Sequence, residues 1–304
     1  LELAAHDGDA AARLAALDRL AALFPDERRF PLMRAGCLHE LARAEDRLRH
    51  LRTFALSREH GSPFFWEQYA EELRGDARQH PLACRLLRRA IAAAPDSAMA
   101  YHVLGDLLWG RRELAEALEL YRFAACLDDK DEHLAWGYFF GARSLGRPDE
   151  GLEFLVARAR RLGRQGSHAA RTAFQACDEL ERTERGFALL EEARALRPDD
   201  GELLLFTAQQ HGRVGRLDRA AELLASAGPG VPPAARLRTE AWLARARGDS
   251  AAAMRLWAEV AALEPRALDA HRELALDLAD REGMPAARAF LERWAKETPF
   301  HFGV

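Results

Sequence analysis

The chain has 304 residues, of which 49% are hydrophobic and 30% are charged, an ordinary balance for a soluble protein with an apolar core. The formal net charge is −4 and the basic residues are scattered, so nucleic acid is not an expected partner. No apolar run approaches the roughly 20 residues that a membrane-spanning helix needs, so no membrane association is expected.

The use of individual residue types indicates an origin and a compartment. Four cysteines, Cys37, Cys84, Cys126 and Cys177, lie far apart with no CxxC pair, which predicts small buried residues in a reducing, cytoplasmic environment. Arginine greatly outnumbers lysine and asparagine is absent, a bias typical of a bacterium with GC-rich codons.

The first nine residues, "LELAAHDGD", are typical of the end of a helix that runs into a turn, and they do not begin with Met. We therefore expect the sequence to be part of a longer chain.

Small residues recur along the chain in matching amphipathic contexts such as "AEALELY" and "DRAAELL". Successive members are 33 to 35 residues apart, and they are Ala83, Ala117, Gly151, Gly186, Ala220, Ala253 and Ala287. A fixed period of this length predicts a series of similar supersecondary units.

Each unit has the pattern of two helices joined by a short turn. In residues 98–131, "AMAYHVLGDLLW" has apolar residues at helical spacing, "GRRE" interrupts the pattern, and "LAEALELYRFAACL" resumes it. The small residue early in the second helix allows the two helices to approach closely. Neither helix can bury its apolar face within the pair, so the units are expected to stack.

The segment "AYHVLGDLLWGRRELAEALELYRFAACLDD" resembles a tetratricopeptide repeat. The positions that carry the resemblance are Tyr101, Leu104, Gly105, Ala117, Tyr121 and Ala124. It extends over nearly the whole chain and is clearest from residue 98 onward. The resemblance implies an all-α fold, a right-handed α-solenoid superhelix of stacked antiparallel helix pairs. Residues 64–97 also resemble the half-a-tetratricopeptide variant of RNA-processing factors, through Trp66, Tyr69 and Glu71.

The period divides the chain into a leading half-repeat and eight repeats within one domain, 1–304. The half-repeat is 1–25, and the repeats lie near 28–61, 64–97, 98–131, 132–165, 167–200, 201–233, 234–267 and 268–301. The period slips at 57–63, 163–166 and 227–233, where we expect bends in the superhelix. Both ends lack a polar capping helix, so further chain, a partner or self-association should cover them.

In tetratricopeptide proteins the first helix of each repeat lines a concave surface. Mapping that helix onto successive repeats predicts a binding groove that is aromatic in its first half and rich in arginine in its second. The predicted groove residues are Phe65, Gln68, Tyr69, Met99, His102, Asp106, Trp109, His133, Trp136, Phe140, Arg143, Arg171, Gln175, Phe206, Gln209, Arg213, Arg238, Trp242 and Arg245.

Four aromatic residues in "HLAWGYFF" separate into two pairs under this mapping. Tyr138 and Phe139 take the positions of Leu104 and Gly105 between helices, so they are expected in the core, with a wider helix junction around Phe139. Trp136 and Phe140 are four residues apart and therefore share a face, which the mapping turns toward the groove. The alternative is a tight superhelix that buries both rings against neighbouring repeats.

These features favour a non-catalytic scaffold that binds a peptide segment or a partner protein. Aromatic rings would hold apolar side chains and arginines would hold acidic ones, with no cofactor. The asparagine and lysine clamps of the family are excluded, because asparagine is absent and neither lysine lies on the groove. The alternatives are a homo-oligomerisation module, an α/α-toroid enzyme acting on carbohydrates, and an RNA-processing type of scaffold.

Metal and catalytic motifs are weak. "HELARAE" (39–45) begins like a zinc-protease helix, but Arg43 stands where the second histidine is required. The acids of "DDKDEH" (128–133) lie at a turn, where they are expected to cap the next helix. His102, His133 and His168 would face the groove from successive repeats as a metal or proton-relay site, although isolated surface histidines are the simpler interpretation.

Overall fold

The computed structural model describes residues 10–24, 27, 29–228 and 230–297. Within these ranges the chain forms seventeen α-helices and one 3₁₀ turn, and no strand. The chain is divided into two compact units, Leu1–Gly151 and Leu152–Val304. The turn predicted at residues 1–9, the end of the half-repeat at Pro25 and the end of the last repeat at 298–301 lie outside the described residues.

Within the described residues, unit 1 contains eight complete helices and the start of a ninth. Its elements are α1 (Ala10–Leu23), α2 (Arg29–Glu40), α3 (Ala44–Ala55), α4 (Pro63–Leu73), the 3₁₀ turn Ala77–Gln79, α5 (His80–Ala93), α6 (Ala98–Gly110), α7 (Leu114–Leu127), α8 (Glu132–Ser144) and the first residues of α9 (Pro148–Leu162).

In the part of unit 2 that the structure describes, the rest of α9 is followed by eight further helices. These are α10 (His168–Glu179), α11 (Thr183–Leu196), α12 (Gly201–Arg213), α13 (Leu217–Ala225), α14 (Pro233–Ala246), α15 (Ser250–Leu263), α16 (Leu268–Glu282) and α17 (Met284–Glu297).

The recurring small residues all lie in the second helix of a pair and are all buried. Ala83, Ala117, Ala220 and Ala253 are completely inaccessible to solvent, which allows the two helix backbones of each pair to approach closely. The short turns between consecutive packed helices make each pair antiparallel. The predicted fold class, an all-α stack of antiparallel helix pairs, is confirmed.

Turns and helix starts follow the residue chemistry of the sequence. Gly146, Gly215 and Gly248 follow first helices with φ of 72°, 83° and 81°, in the left-handed region that glycine adopts without strain. At the start of α8, the Asp131 carboxylate accepts hydrogen bonds from the backbone N–H groups of His133 and Leu134. The capping role predicted for this acidic turn is therefore confirmed.

Tyr138 and Phe139 are buried, as predicted, with exposed fractions of 2% and 0%. The prediction of a wider helix junction around Phe139 is wrong, because the facing helix has Gly151 at the contact. A Cβ atom on Gly151 would lie 3.0 Å from the Phe139 Cα atom, so the large residue is matched by the smallest one. Unit 2 has the same match of a phenylalanine on the first helix with a glycine on the second, where a Cβ atom on Gly186 would lie 2.8 Å from the Phe174 ring.

Three of the four cysteines, Cys37, Cys84 and Cys177, are buried as predicted. The prediction is wrong for Cys126, which is exposed near the end of α7, and all four are free thiols. No helix within the described ranges is long and apolar enough to cross a membrane.

Candidate functional site

Unit 1 has a cavity of about 600 Å³ between first helices of successive pairs. Residues of α4, α6 and α8 line it, and Tyr121 of the second helix α7 contributes to it. Seven of the predicted groove residues meet there, because their spacing of three and four places them on one face of α6 or α8. They are Met99, His102, Asp106, Trp109, His133, Trp136 and Phe140.

The apolar wall of the cavity is partly exposed. Phe140 and Met99 have exposed fractions of 54% and 44%, and Trp109 and Trp136 are half-buried. The Trp136 ring centroid lies 5.1 Å from that of Phe139, so the indole rests against the core and one part of it remains accessible. Phe139 and Phe140 are consecutive residues on a helix and point about 100° apart, which accounts for their opposite environments.

An ion-paired cluster connects α4 with α6 and α7. The Asp106 carboxylate accepts one hydrogen bond from Arg74 Nη1 at 2.5 Å and one from the Tyr121 hydroxyl at 2.8 Å. Arg74 Nη2 also lies 3.0 Å from Glu71 Oε1. Burial and the hydrogen bond to Asp106 raise the pKa of Tyr121 well above its usual value, so the hydroxyl stays protonated as a donor.

His102 packs under α8 and is 6% exposed. A Cβ atom on Gly137 would lie 2.9 Å from His102 Cε1, so this approach requires glycine at position 137. Burial lowers the pKa of His102, and the nearby His133, with its ring centroid 4.9 Å away, lowers it further. His102 Nδ1 is buried and has no hydrogen-bond partner among the described residues.

The histidine set considered from the sequence is not assembled as a metal site in unit 1. His102 and His133 are neighbours, whereas His168 is an exposed residue of unit 2. Within the part of the chain that the structure describes, no three His, Cys, Asp or Glu side chains are grouped so that they could hold a metal ion.

Four predicted groove residues of unit 1 lie outside this cavity. Phe65 and Tyr69 are buried core residues at 3% and 5% exposure, because α3 packs against α4 and Phe54 stacks on Phe65 with a centroid distance of 4.9 Å. Gln68 accepts a hydrogen bond of 2.8 Å from Arg47 of α3. Arg143 is half-buried near the end of α8 and does not line the cavity.

Unit 2 has a cavity of about 460 Å³ that contains the arginine-rich part of the predicted groove. The predicted residues that line it are Gln209, Arg213, Arg238, Trp242 and Arg245. Trp242 is 40% exposed and lies directly over Gly212, where a Cβ atom would be 2.3 Å from the indole. The Gln209 amide donates to Thr239 Oγ1 at 3.2 Å, so this polar side chain is occupied within the unit.

The arginines of this second cavity are paired with carboxylates. Arg238 donates to Asp269 at 2.7 Å and to Glu264 at 2.6 Å. The hydrogen bond from Arg238 to Asp269 holds the pKa of Asp269 below its usual value. Arg213 lies 2.8 Å from Asp178, and Arg245 lies 2.5 Å from Glu273. Their charges are therefore neutralised within unit 2.

The remaining predicted residues of unit 2 belong to α10 and the start of α12. The Arg171 guanidinium lies 4.9 Å from the centroid of the Phe206 ring and 3.6 Å from Glu202. Phe206 is a core residue at 9% exposure, because Phe174 packs edge-on against it at 5.7 Å. Gln175 is exposed on α10.

The repeating element of both units is a pair of helices. Side chains of the first helix line a cavity, and a buried small residue allows the second helix to pack closely behind the first. The fold of this chain is tetratricopeptide-like. No family model and no curated protein matches the sequence.

Solved structures of other proteins are similar to this chain at low identity. YrrB, described as a tetratricopeptide protein with an unusual peptide-binding site, is 19% identical over 60% of this chain and 95% of its own, with a TM-score of 0.35. PilF of Pseudomonas aeruginosa is 19% identical over 72% and 97%, with a TM-score of 0.38. MamA of Desulfovibrio magneticus RS-1 is 18% identical over 52% and 89%, with a TM-score of 0.44.

Several residues of the cavity in unit 1 were not among the predicted groove residues. Glu71 and Arg74 lie near the end of α4, off the strip traced through Phe65 and Tyr69, and Tyr121 belongs to a second helix. The signal available in the sequence was charge complementarity one repeat apart, because Arg74 and the predicted Asp106 are separated by 32 residues.

Proposed function

We propose that this chain is a non-catalytic interaction scaffold and that the unit 1 cavity binds a peptide segment of a partner protein. The observation that carries the proposal is the wall of partly exposed rings, Trp109, Trp136 and Phe140, around a concave site of about 600 Å³. About half of each ring is already buried, so covering the rest of one ring stabilises a complex by roughly 1–1.5 kcal/mol. A concave face with aromatic anchors suits an extended peptide.

The polar groups of the cavity support a binding role. Both carboxylate oxygens of Asp106 accept hydrogen bonds, from Arg74 and from Tyr121. Tyr121 has a pKa above its usual range and therefore acts as a fixed donor near neutral pH. These groups hold α4, α6 and α7 together and keep the wall in place.

Selection from a phage-displayed random peptide library on the purified protein tests the proposal. Selected peptides should bind the unchanged protein and lose affinity at least tenfold for Trp136→Ala combined with Phe140→Ala, because that variant removes two anchors. Phe123→Ala is the matched control, since Phe123 is 51% exposed on α7 and does not line the cavity.

Two results would contradict this proposal. One is peptide binding that survives the double substitution, which would place the binding surface elsewhere. The other is a large fall in the melting temperature of the double variant, which would identify the two rings as core residues in the manner of the tight-superhelix alternative.

Self-association is a second candidate function. It is favoured by an apolar surface on α16 and α17, where Leu268, Leu276 and Met284 have exposed fractions of 67%, 52% and 72%. These residues line one hollow of about 730 Å³, and a patch of this kind suits a second copy of the chain. Sedimentation analysis should then show a dimer that Leu276→Asp dissociates, whereas a monomer at all concentrations would exclude this function.

A further inference from the structure

The unit 1 cavity has an acidic charge balance. One cation, Arg74, lies between two carboxylates, Glu71 and Asp106, which leaves one net negative charge among the lining groups. The carboxylate of Asp131 at the start of α8 adds to this field, since it favours the charged form of His102. Among the described lining residues the guanidinium is that of Arg74, and it already contacts both carboxylates, so this balance disfavours an acidic ligand. Arg47 of α3 also interacts with Glu71, but it pairs with Glu72 and does not line the cavity.

Aromatic faces surround this charge. The Trp109 and Tyr121 ring centroids are 6.0 Å apart. Trp136 and Phe140 line the cavity from α8. The face of an aromatic ring carries partial negative charge and attracts cations, most strongly when it is partly removed from water. Rings and carboxylates in the cavity therefore favour the same sign of ligand charge.

Two buried polar atoms of the cavity are without hydrogen-bond partners among the described residues: Glu71 Oε2 and His102 Nδ1. A carboxylate oxygen of this kind accepts hydrogen bonds and does not donate them. Burial lowers the pKa of His102, so its imidazole is neutral near neutral pH and one ring nitrogen accepts. A buried acceptor without a donor costs free energy, which a donating ligand would recover.

We propose that the cavity binds a positively charged side chain, lysine or arginine, of the bound peptide segment. The apolar stem lies against Trp136 and Phe140, and the charged group donates toward Glu71 and His102. This inference rests on the proposed peptide-binding function and specifies its ligand class. It also replaces the acidic side chain that the arginine-rich sequence led us to expect as the main charged anchor.

The direct test uses small probes that differ only in their side chain: the N-acetyl methylamides of lysine, arginine, norleucine and glutamate. Binding is followed through the indole N–H signals of ¹⁵N-labelled protein, assigned with Trp109→Phe and Trp136→Phe. Lysine and arginine should give saturable shifts of both signals at millimolar concentration, about tenfold tighter than norleucine, with glutamate weaker still.

The charge of Glu71 is tested with Glu71→Gln, which keeps the size of the side chain. Lysine affinity should fall about tenfold while norleucine affinity stays unchanged. Glu116→Gln is the matched control, because Glu116 is an exposed acid on α7 that pairs with Arg88 outside the cavity. Phe140→Leu, at a half-exposed position, should weaken lysine binding without loss of helical structure, and so provides a second variant that does not alter the ion pairs.

The outcomes separate this inference from the function on which it rests. Equal binding of lysine and norleucine, or tighter binding of glutamate, overturns the cation inference and leaves peptide binding intact. Saturation by none of the four probes overturns it as well, and the proposed function then stands or falls with the peptide library. Library peptides that carry a conserved Lys or Arg whose replacement by norleucine costs tenfold in affinity would support it.

Discussion

The cavities of unit 1 and unit 2 arise from the same helix spacing and have opposite chemical states. In unit 1, Phe140 and Met99 are partly exposed, and Glu71 and His102 have buried atoms without hydrogen-bond partners among the described residues. In unit 2, the charged side chains are occupied, as Arg238 shows with its two carboxylate partners. One cavity has exposed rings and buried polar atoms that are not hydrogen-bonded within the described residues, whereas the other uses its charges to join neighbouring repeats.

The difference shows that residue type alone does not give the net charge of a cavity in this fold. The arginine-rich half suggested an acidic ligand, yet Arg238 and Asp269 lie 31 residues apart and pair with each other. The acidic cavity of unit 1 has a similar bond between Arg74 and Asp106, but there the carboxylates are in excess. The charge that remains after internal pairing determines which ligand is attracted.

The largest expected effect tests whether a core ring contributes equally to the free energy of unfolding in unit 1 and in unit 2. Phe139→Ala in unit 1 and Phe174→Ala in unit 2 each remove a ring that is at most 1% exposed and packed against glycine. Each should lower the free energy of unfolding by about 3–5 kcal/mol, measured by urea denaturation. A loss below about 1 kcal/mol at either position would mean that the ring is not a core residue.

A smaller effect is expected from the paired arginines of unit 2. Arg238→Ala leaves Asp269 and Glu264 without their shared cation and should destabilise the protein by about 1 kcal/mol, less at high salt. Arg272→Ala is the control within the same cavity, because Arg272 is mostly exposed and pairs with Glu273 at 3.1 Å. Equal effects of the two substitutions at low and high salt would contradict the structural role of Arg238.

The dependence of stability on pH should include a contribution from His211 of unit 2. Burial lowers its pKa, and the nearby Arg216 and Arg219 lower it further. The unfolded chain then binds the proton at higher pH than the folded one, so the free energy of unfolding falls as pH drops below about 6.5 and this loss is absent above it. His211→Leu should flatten the curve between pH 7.5 and 5.5, and an unchanged slope would contradict the shift.

The smallest expected change in stability is that of Phe140→Ala. The ring is 54% exposed, so its removal should alter the free energy of unfolding by less than about 0.5 kcal/mol. Comparison with Phe139→Ala in the same denaturation experiment gives two adjacent phenylalanines with opposite roles. Comparable losses for both would place Phe140 in the core and remove the main support for a binding wall.

Much of the fold was predictable because the helix-pair repeat follows from local sequence patterns, namely the spacing of small and apolar residues. The buried small residues, of which Ala117 and Gly186 are examples, appear in the sequence at intervals close to 34, and the burial of Tyr138 and Phe139 follows from their alignment with Leu104 and Gly105. The meeting of the α6 and α8 residues at one cavity also follows from helical spacing.

The remaining parts of the site depend on how neighbouring helices cross, which the sequence does not encode locally. The burial of Phe65 depends on the approach of α3, and the choice of partner by Arg74 depends on the distance from α4 to α6. The position of Gly151 opposite Phe139 was visible in the sequence, but only the packed helices showed that one compensates for the other.

This compensation has a consequence for recombining the repeats. Helix α8 carries its bulk at Phe139 and α9 carries the matching gap at Gly151, whereas the preceding pair has the opposite order, with Gly105 facing the ring of Tyr121. Consider a chimera in which α7 replaces α9 as the second helix of the pair that α8 begins. Ala117 and Tyr121 would then lie against Phe139 and overfill the junction. An engineered shortening of the array is therefore expected to need α8 kept with α9, and α6 kept with α7.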